Sequence, residues 1–480
     1  MSATSNVPSR RLAAGSAGVN PHAPSTLLPL PFIITGLLAW VGGIAAVVIR
    51  PAMLATYHYN QYVISVTHLL VLGWICTVVM GAMYQLVPVA LETRLYSERL
   101  ARWQFALHVV GFSGMVWMFW TWNLKHVGHF GTVLTVGVGL FVYNLVRTLL
   151  RVRRWNVVSS AVACALGWIS LAVLAGLAIV VGKCSYDADV TLSPANPVGP
   201  LLRGLRAAAA LPAHFDAISA MHAHAHLGSI GLFLMLMVGI SYKLVPMFTL
   251  SEVQSPRRAG ASLVLLNAGL AGSFVAILLQ SRLKPVFAAV VIAGLALYGC
   301  EMAAILRARK RRVLDWGVKQ FLAAMALLAP LSLLALLLSW PTLPLTTLTG
   351  QFENLYGFLG LLGVISLGIG GMLYKIIPFL IWYRAYSQQV GRCKVPALAD
   401  LYSPRLQAAG FWIYLAGLAV TSVGIVLGNA IIVRCGATVL GLSLATQAIN
   451  VITMLGHLFR PAARPLPASP GPLATVTQPI

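Results

Sequence analysis

Three histidines, His222, His224 and His226, follow Met221 in the run MHAHAH, and a fourth, His68, opens the run HLLVLG. Imidazole binds both iron and copper through a neutral ring nitrogen, so such a cluster reads as a haem or metal site. On a helix, at 100° per residue, His222 and His226 lie about 40° apart, while His224 lies about 160° from His226 on nearly the opposite face. One helix would then address two sites, a haem on one side and a copper or second haem on the other. The plainer reading is that single members of the cluster bond loop carbonyls or water.

The elements that must carry these residues are membrane helices. The 480 residues are 59% hydrophobic and only 9% charged, with a mean hydropathy of +0.85. A soluble domain carries roughly 25% charged residues, so this composition excludes a water-facing globule and general disorder. The net charge of +23 is spread in short Arg and Lys clusters between apolar runs, which reads as topology signals rather than a nucleic-acid face. Six cysteines in this length imply no disulfide framework; Cys184 alone falls in an outer loop.

A membrane helix needs about 20 mostly apolar residues. Twelve such runs are expected, at 28–49, 63–91, 103–122, 130–149, 157–181, 218–248, 261–280, 285–305, 319–340, 353–382, 406–427 and 431–455. The expected fold is an all-α polytopic membrane protein, with one transmembrane domain over 28–458 between disordered tails at 1–27 and 459–480. Arg and Lys concentrate on one set of alternate loops, including Arg307, Arg309, Lys310, Arg311 and Arg312. The positive-inside rule makes that side cytoplasmic, with both termini inside and the His cluster toward the outer face of an inner membrane.

Three of the spans superpose without a gap: HLLVLGWICTVVMGAMYQLVP from His68, HLGSIGLFLMLMVGISYKLVP from His226, and FLGLLGVISLGIGGMLYKIIP from Phe358. Their starts lie 158 and 132 residues apart. Gly73, Gly231 and Gly363 align, as do Gly81, Gly239 and Gly371, then Tyr84, Tyr242 and Tyr374, then Pro88, Pro246 and Pro378. Being the second, sixth and tenth spans, they define three pseudo-threefold arcs of four helices, at about 28–149, 157–305 and 319–455. A secondary transporter would show a two-half repeat instead. The Gly columns read as helix packing, the Tyr-x-x-x-Pro columns as interfacial anchor and helix stop, and Lys243 and Lys375 as snorkelling cations.

The histidines gather toward one depth. His58, His126, His129 and His214 fall in outer loops or helix mouths, while His68, His222, His224 and His226 fall in the outer halves of spans two and six; His108 lies nearer the inner side, and His22 and His457 in the tails. His68 and His226 share one repeat column, so two helices present imidazoles at matching depth, as a six-coordinate haem held from both faces requires. Ionisable groups inside a membrane bundle are candidates for function. Met221, His222 and His224 are the candidate ligands for a second metal. Glu301 is expected to pair with Arg307, and Glu353 and Asp216 to orient a ligand by bonding to it.

Twelve spans in three arcs, with a His on the second and a cluster on the sixth, resemble subunit I of the haem–copper oxidases, including the cbb3-type cytochrome c oxidase and nitric-oxide-reductase branches. The resemblance implies that His68 is an axial ligand of a low-spin haem and that one of His222, His224 and His226 binds copper or a non-haem iron. It also implies a respiratory redox partner such as cytochrome c or companion subunits. The chain departs from the family where the tenth span, FENLYGFLGLLG, lacks the His-x-His pair and the seventh, ASLVLLNAGLAGSFVAILLQ, lacks the His–His pair. The family's binuclear oxygen-reducing centre cannot be assembled from these helices. A weaker similarity in span number and histidine content runs to the NnrS-type haem and copper membrane proteins associated with nitric oxide tolerance.

The expected function is therefore that of a haem b protein with copper as a second metal, lodged in the bilayer and active in electron transfer or in binding or reducing oxygen or nitric oxide. Its axial ligands would be His68 and His226, with His224 able to replace either role on the sixth span. The alternative is a non-enzymatic protein of copper or haem handling, in which Met221 and the three histidines form a metal site at the outer mouth.

Overall fold

The structure, a computed structural model, describes residues 25–186, 215–462 and 464–465, with side chains over 25–180 and 215–462. The expectations for the outermost tails, for His22 and His214, and for the side chain of Cys184 lie outside the described residues. Among the described residues twelve long helices follow one another: α1 Pro29–Ile49, α2 Gln61–Ala90, α3 Glu98–Trp120, α4 Leu124–Leu149, α5 Val157–Tyr186, α6 Ala217–Thr249, α7 Pro256–Leu278, α8 Lys284–Arg307, α9 Trp316–Leu338, α10 Thr347–Gln389, α11 Pro404–Val426 and α12 Ala430–Phe459. Eleven of them are long and apolar enough to cross a membrane. The exception, α3, is 23 residues long but carries Glu98, Arg99, Arg102, Gln104 and His108. A two-residue pairing of Cys393–Lys394 with Arg464–Pro465 is the β-structure among the described residues. The molecule is an all-α polytopic membrane protein.

Each helix packs on the next and α12 packs back on α1, while α10 touches both α2 and α6 at the middle. Burial agrees with that placement: 56%, 67% and 72% of the most apolar windows of α2, α6 and α10 are buried, against 17–44% for the other eight candidate spans. The repeat columns explain the packing. A Cβ on Gly73 would lie 2.9 Å from Ala39 and Phe112, one on Gly231 2.6 Å from Trp168, and one on Gly363 3.3 Å from Leu327. The second Gly column meets Phe32, Ala161 and the Gly317 carbonyl in the same way. Each central helix thus lies against the first helix of its own arc at backbone distance, which dispersion between small residues rewards in lipid.

Immediately after the columns of His68, His226 and Phe358, each central helix widens to a π-helical stretch, over Leu69–Cys76, Leu227–Leu234 and Leu359–Ser366. Such stretches are rare and gather at functional sites. The wider turn leaves carbonyls needing donors. Leu72 O accepts from Thr77 Oγ1 at 2.8 Å and His108 Nε2 at 3.0 Å, and its counterpart Leu362 O accepts from Tyr414 at 2.8 Å. His108 is fully buried in this role.

The loop leading into the third helix of each arc is tied to the fourth by a buried polar side chain. Asn144 accepts from Ser97 N at 3.1 Å and donates to Ser97 O at 2.8 Å, and Asn450 repeats this with Ser403 at 3.0 and 3.2 Å. In the middle arc Glu301, 0% exposed, accepts from Gln254 N at 2.6 Å and Ser255 N at 2.8 Å and faces Arg258 at 3.3 Å. Its partner is therefore Arg258 rather than Arg307, because the arm turns into the bundle toward the start of α7.

Two other expectations are corrected. Tyr84, Tyr242 and Tyr374 are 0%, 3% and 5% exposed and so belong to the core rather than to an interface; Tyr84 donates to Gln104 and Tyr374 accepts from Asn450. Pro88, Pro246 and Pro378 lie inside their helices instead of ending them. Lys375 is ion-paired with Asp315, whereas Lys243 is exposed as expected of a snorkelling cation.

Candidate functional site

His68 ends the regular first part of α2, and its Nδ1 donates to the Ile64 carbonyl at 2.7 Å while its ring lies on Phe119 of α3, centroids 4.7 Å apart. His226 holds the same position in α6, with Nδ1 donating to the His222 carbonyl at 2.7 Å. His224 turns the other way, to the Ala172 carbonyl of α5 at 2.9 Å, beside Gly176, where a Cβ would stand 2.9 Å from its ring. A carbonyl only accepts, so the proton of each ring is on Nδ1 and the lone pair on Nε2. A hydrogen bond from the far ring nitrogen in this way orients a histidine to bind metal through the other.

The two faces of α6 meet different partners. His224 and His68 lie within electrostatic range of each other. His226 stacks on Tyr356 of α10, centroids 5.8 Å apart and planes at 22°, with the tyrosine hydroxyl donating to Nε2 at 3.4 Å. Met221 is half-buried on the turn before the cluster, about 60° around the helix from His224.

His222 meets residues that sequence spacing does not link to it. Its Nε2 is 2.9 Å from Nε2 of His58, one proton lying between them, and Nδ1 of His58 is 3.6 Å from Glu353 Oε2. His58 comes from the loop between α1 and α2, His222 from α6 and Glu353 from α10. Burial holds the His58 imidazole below the usual histidine range, so the neutral, ligand-ready form prevails near neutral pH. The sequence signal for His58 was its depth, shared with the other outer histidines; no helical register connects it to them. Asp216 caps α6 just ahead, accepting from Ser219 N at 2.9 Å, and these bonds hold its carboxyl below the usual range.

The surroundings fit a flat prosthetic group at this end. The π-helical stretches and the Tyr column are packed, but in the histidine half of the central helices Ala225 and Gly357 are exposed, and a Cβ on Gly228 or Gly357 would meet nothing within 4 Å. Unfilled positions on α6 and α10 leave room for a flat group such as haem, which the imidazoles of His68 and His224 could hold. Toward the other end α2, α6 and α10 enclose a small apolar cavity of about 100 Å³, lined by residues such as Met83, Phe233 and Met372, with no histidine on its wall.

These features define a polytopic membrane protein whose central helices carry ligand-ready histidines near one end. The model of the family described as Cytochrome C and Quinol oxidase polypeptide I matches residues 18–129, which include His68. Over that stretch, and in its all-α polytopic fold, the chain is similar to subunit I of the haem–copper oxidases, which supports a divergent relationship to that superfamily. No curated protein matches it.

Proposed function

We propose that this protein binds haem b between α2 and α6, in electron transfer or in binding a diatomic gas such as oxygen or nitric oxide. The observation that carries the reading is that His68 and His224, on two central helices, each give their Nδ1 proton to a backbone carbonyl, at 2.7 and 2.9 Å, and lie within electrostatic range of each other. His226, the repeat-column partner of His68, is engaged with Tyr356 on the other face and is the second candidate. Haem supplies a one-electron couple or a gas-binding iron when bound. The chain's own residues fix the imidazole tautomers, and Phe119 and Tyr356 give the rings apolar or aromatic walls that exclude water.

Phe358 stands in the repeat column on α10, and neither α7 nor α10 carries a histidine. This favours a redox or gas-binding role over a complete proton-pumping oxidase, with electrons delivered by cytochrome c or a companion subunit. The Arg and Lys asymmetry favours a bacterial-type inner membrane with the histidine end outward.

The test is a reduced-minus-oxidised visible spectrum of detergent-purified protein, with and without carbon monoxide, for wild type, His68→Ala, His224→Ala and His226→Ala. The expected result is a low-spin b-type spectrum lost in the first two variants and kept in the third. Loss in His68→Ala and His226→Ala with His224→Ala intact would move the pair to the repeat column. A featureless wild-type spectrum, with haem supplied during expression, would refute haem binding.

A further inference from the structure

His222 is not needed for a haem between His68 and His224, and its partners come from parts of the chain outside the family's copper set, whose seventh-span pair is missing here. One donor atom from each of His58, His222 and Glu353 lies within 4.8 Å of the others. The three residues come one from each arc, so they meet where the arcs converge. A tetrahedral ion with bonds of about 2.0–2.1 Å sets its donors about 3.3 Å apart; the two Nε2 atoms are 2.9 Å apart, so an opening of about 0.4 Å admits it.

The site is built rather than incidental. Gln351 and Asn354, flanking Glu353 on α10, donate to the carbonyls of Ala55 at 2.8 Å and Thr56 at 2.6 Å. They hold the loop that carries His58. Asn60 then fixes the other end of that loop by capping α2, accepting from Tyr62 N at 3.1 Å and Val63 N at 3.0 Å. The Nδ1 of His58 makes no hydrogen bond and lies 3.6 Å from Glu353 Oε2, a spacing that leaves the carboxylate able to turn to an ion held at the two Nε2 atoms. The side chains of His58 and Glu353 are 14% and 27% exposed, so an ion can enter from the histidine end.

We propose that His58, His222 and Glu353 bind one divalent first-row transition ion. Two imidazoles and a carboxylate are the donor set of zinc, copper(II) and iron(II) sites. The ion would join the three arcs at their common end, next to the His226 carbonyl partner but apart from the His68 and His224 face.

Zn²⁺ is the probe. Tag-free full-length protein in detergent is dialysed against Zn²⁺ at graded free concentrations, and bound zinc is counted per chain by mass spectrometry for wild type, His58→Ala and Glu353→Gln. The expected result is one Zn²⁺ per wild-type chain and affinity weakened at least about 10- to 100-fold in each variant. Both variants alter partly exposed side chains, and unchanged helicity and elution volume identify folded protein. Absence of stoichiometric zinc in wild type, or uptake unchanged in both variants, overturns the proposal. The visible spectrum of the same samples separates the two readings: a haem signal that persists in both variants while zinc is lost shows two sites, and zinc uptake without haem sinks only the haem reading.

Discussion

Glu301 gives the sharpest test of how the arcs are held. Its carboxylate is fully buried, accepts from Gln254 N at 2.6 Å and Ser255 N at 2.8 Å, and faces Arg258 at 3.3 Å. Glu301→Gln keeps an oxygen for both N–H groups but removes the charge. A charged bond contributes about 1.5–3 kcal/mol and a neutral one about 0.5–1.5, so two bonds lose about 2 kcal/mol together. The Arg258 side chain is 36% exposed, so the lost ion pair adds only about 0.5 kcal/mol after screening. Glu301→Ala instead leaves both N–H groups without an acceptor, at about 1–3 kcal/mol each, and leaves a void; the total is about 4–6 kcal/mol. The assay is equilibrium unfolding in mixed micelles titrated with dodecyl sulfate, followed by far-ultraviolet circular dichroism. A destabilisation by Ala about twice that by Gln is expected. Equal effects, or a Gln variant as stable as wild type, would refute the reasoning that charge-assisted capping holds this loop.

Three further outcomes follow from named contacts. Gly176→Ala places a Cβ 2.9 Å from the His224 ring, about 0.5 Å inside ordinary contact, so the ring withdraws and its bond to Ala172 O weakens; if His224 ligates haem, the low-spin spectrum shifts toward high spin, and an unchanged spectrum refutes that role. His108→Ala removes a buried ring and its bond to Leu72 O and should cost about 3 kcal/mol of stability in the same micelle titration while leaving the absorption spectrum intact; loss of the spectrum with little loss of stability would show His108 to be a ligand. Gly239→Val sets a Cβ 2.1 Å from Ala161 Cβ and should destabilise by at least about 1–3 kcal/mol, seen as a lower unfolding midpoint; tolerance would mean that α5 and α6 can separate freely.

The arcs were legible because membrane solvent imposes a simple pattern. Every span needs about 20 apolar residues, and a repeat that must pack three times in the same way keeps the same glycines, so Gly73, Gly231 and Gly363 could be aligned from sequence and then found against α1, α5 and α9. The tyrosine column was legible as a column but not as core. Hydropathy places a tyrosine at the membrane interface as readily as inside, and only Gln104 and Asn450, supplied by other helices, make burial of Tyr84 and Tyr374 affordable.

The sequence by itself determined the class of protein, the order of its long helices and the repeat along three of them, because these follow from periodicity along one chain in one solvent. It also determined that His222 and His224 face apart, since 3.6 residues per turn decides that locally. Only the tertiary structure decided that His224 bonds to α5, that His226 meets Tyr356, and that His58 and Glu353 close on His222. Those meetings join residues 52 to 295 positions apart, and their geometry depends on how three separate arcs pack and on the π-helical widening that turns the central helices, neither of which any local rule of spacing contains.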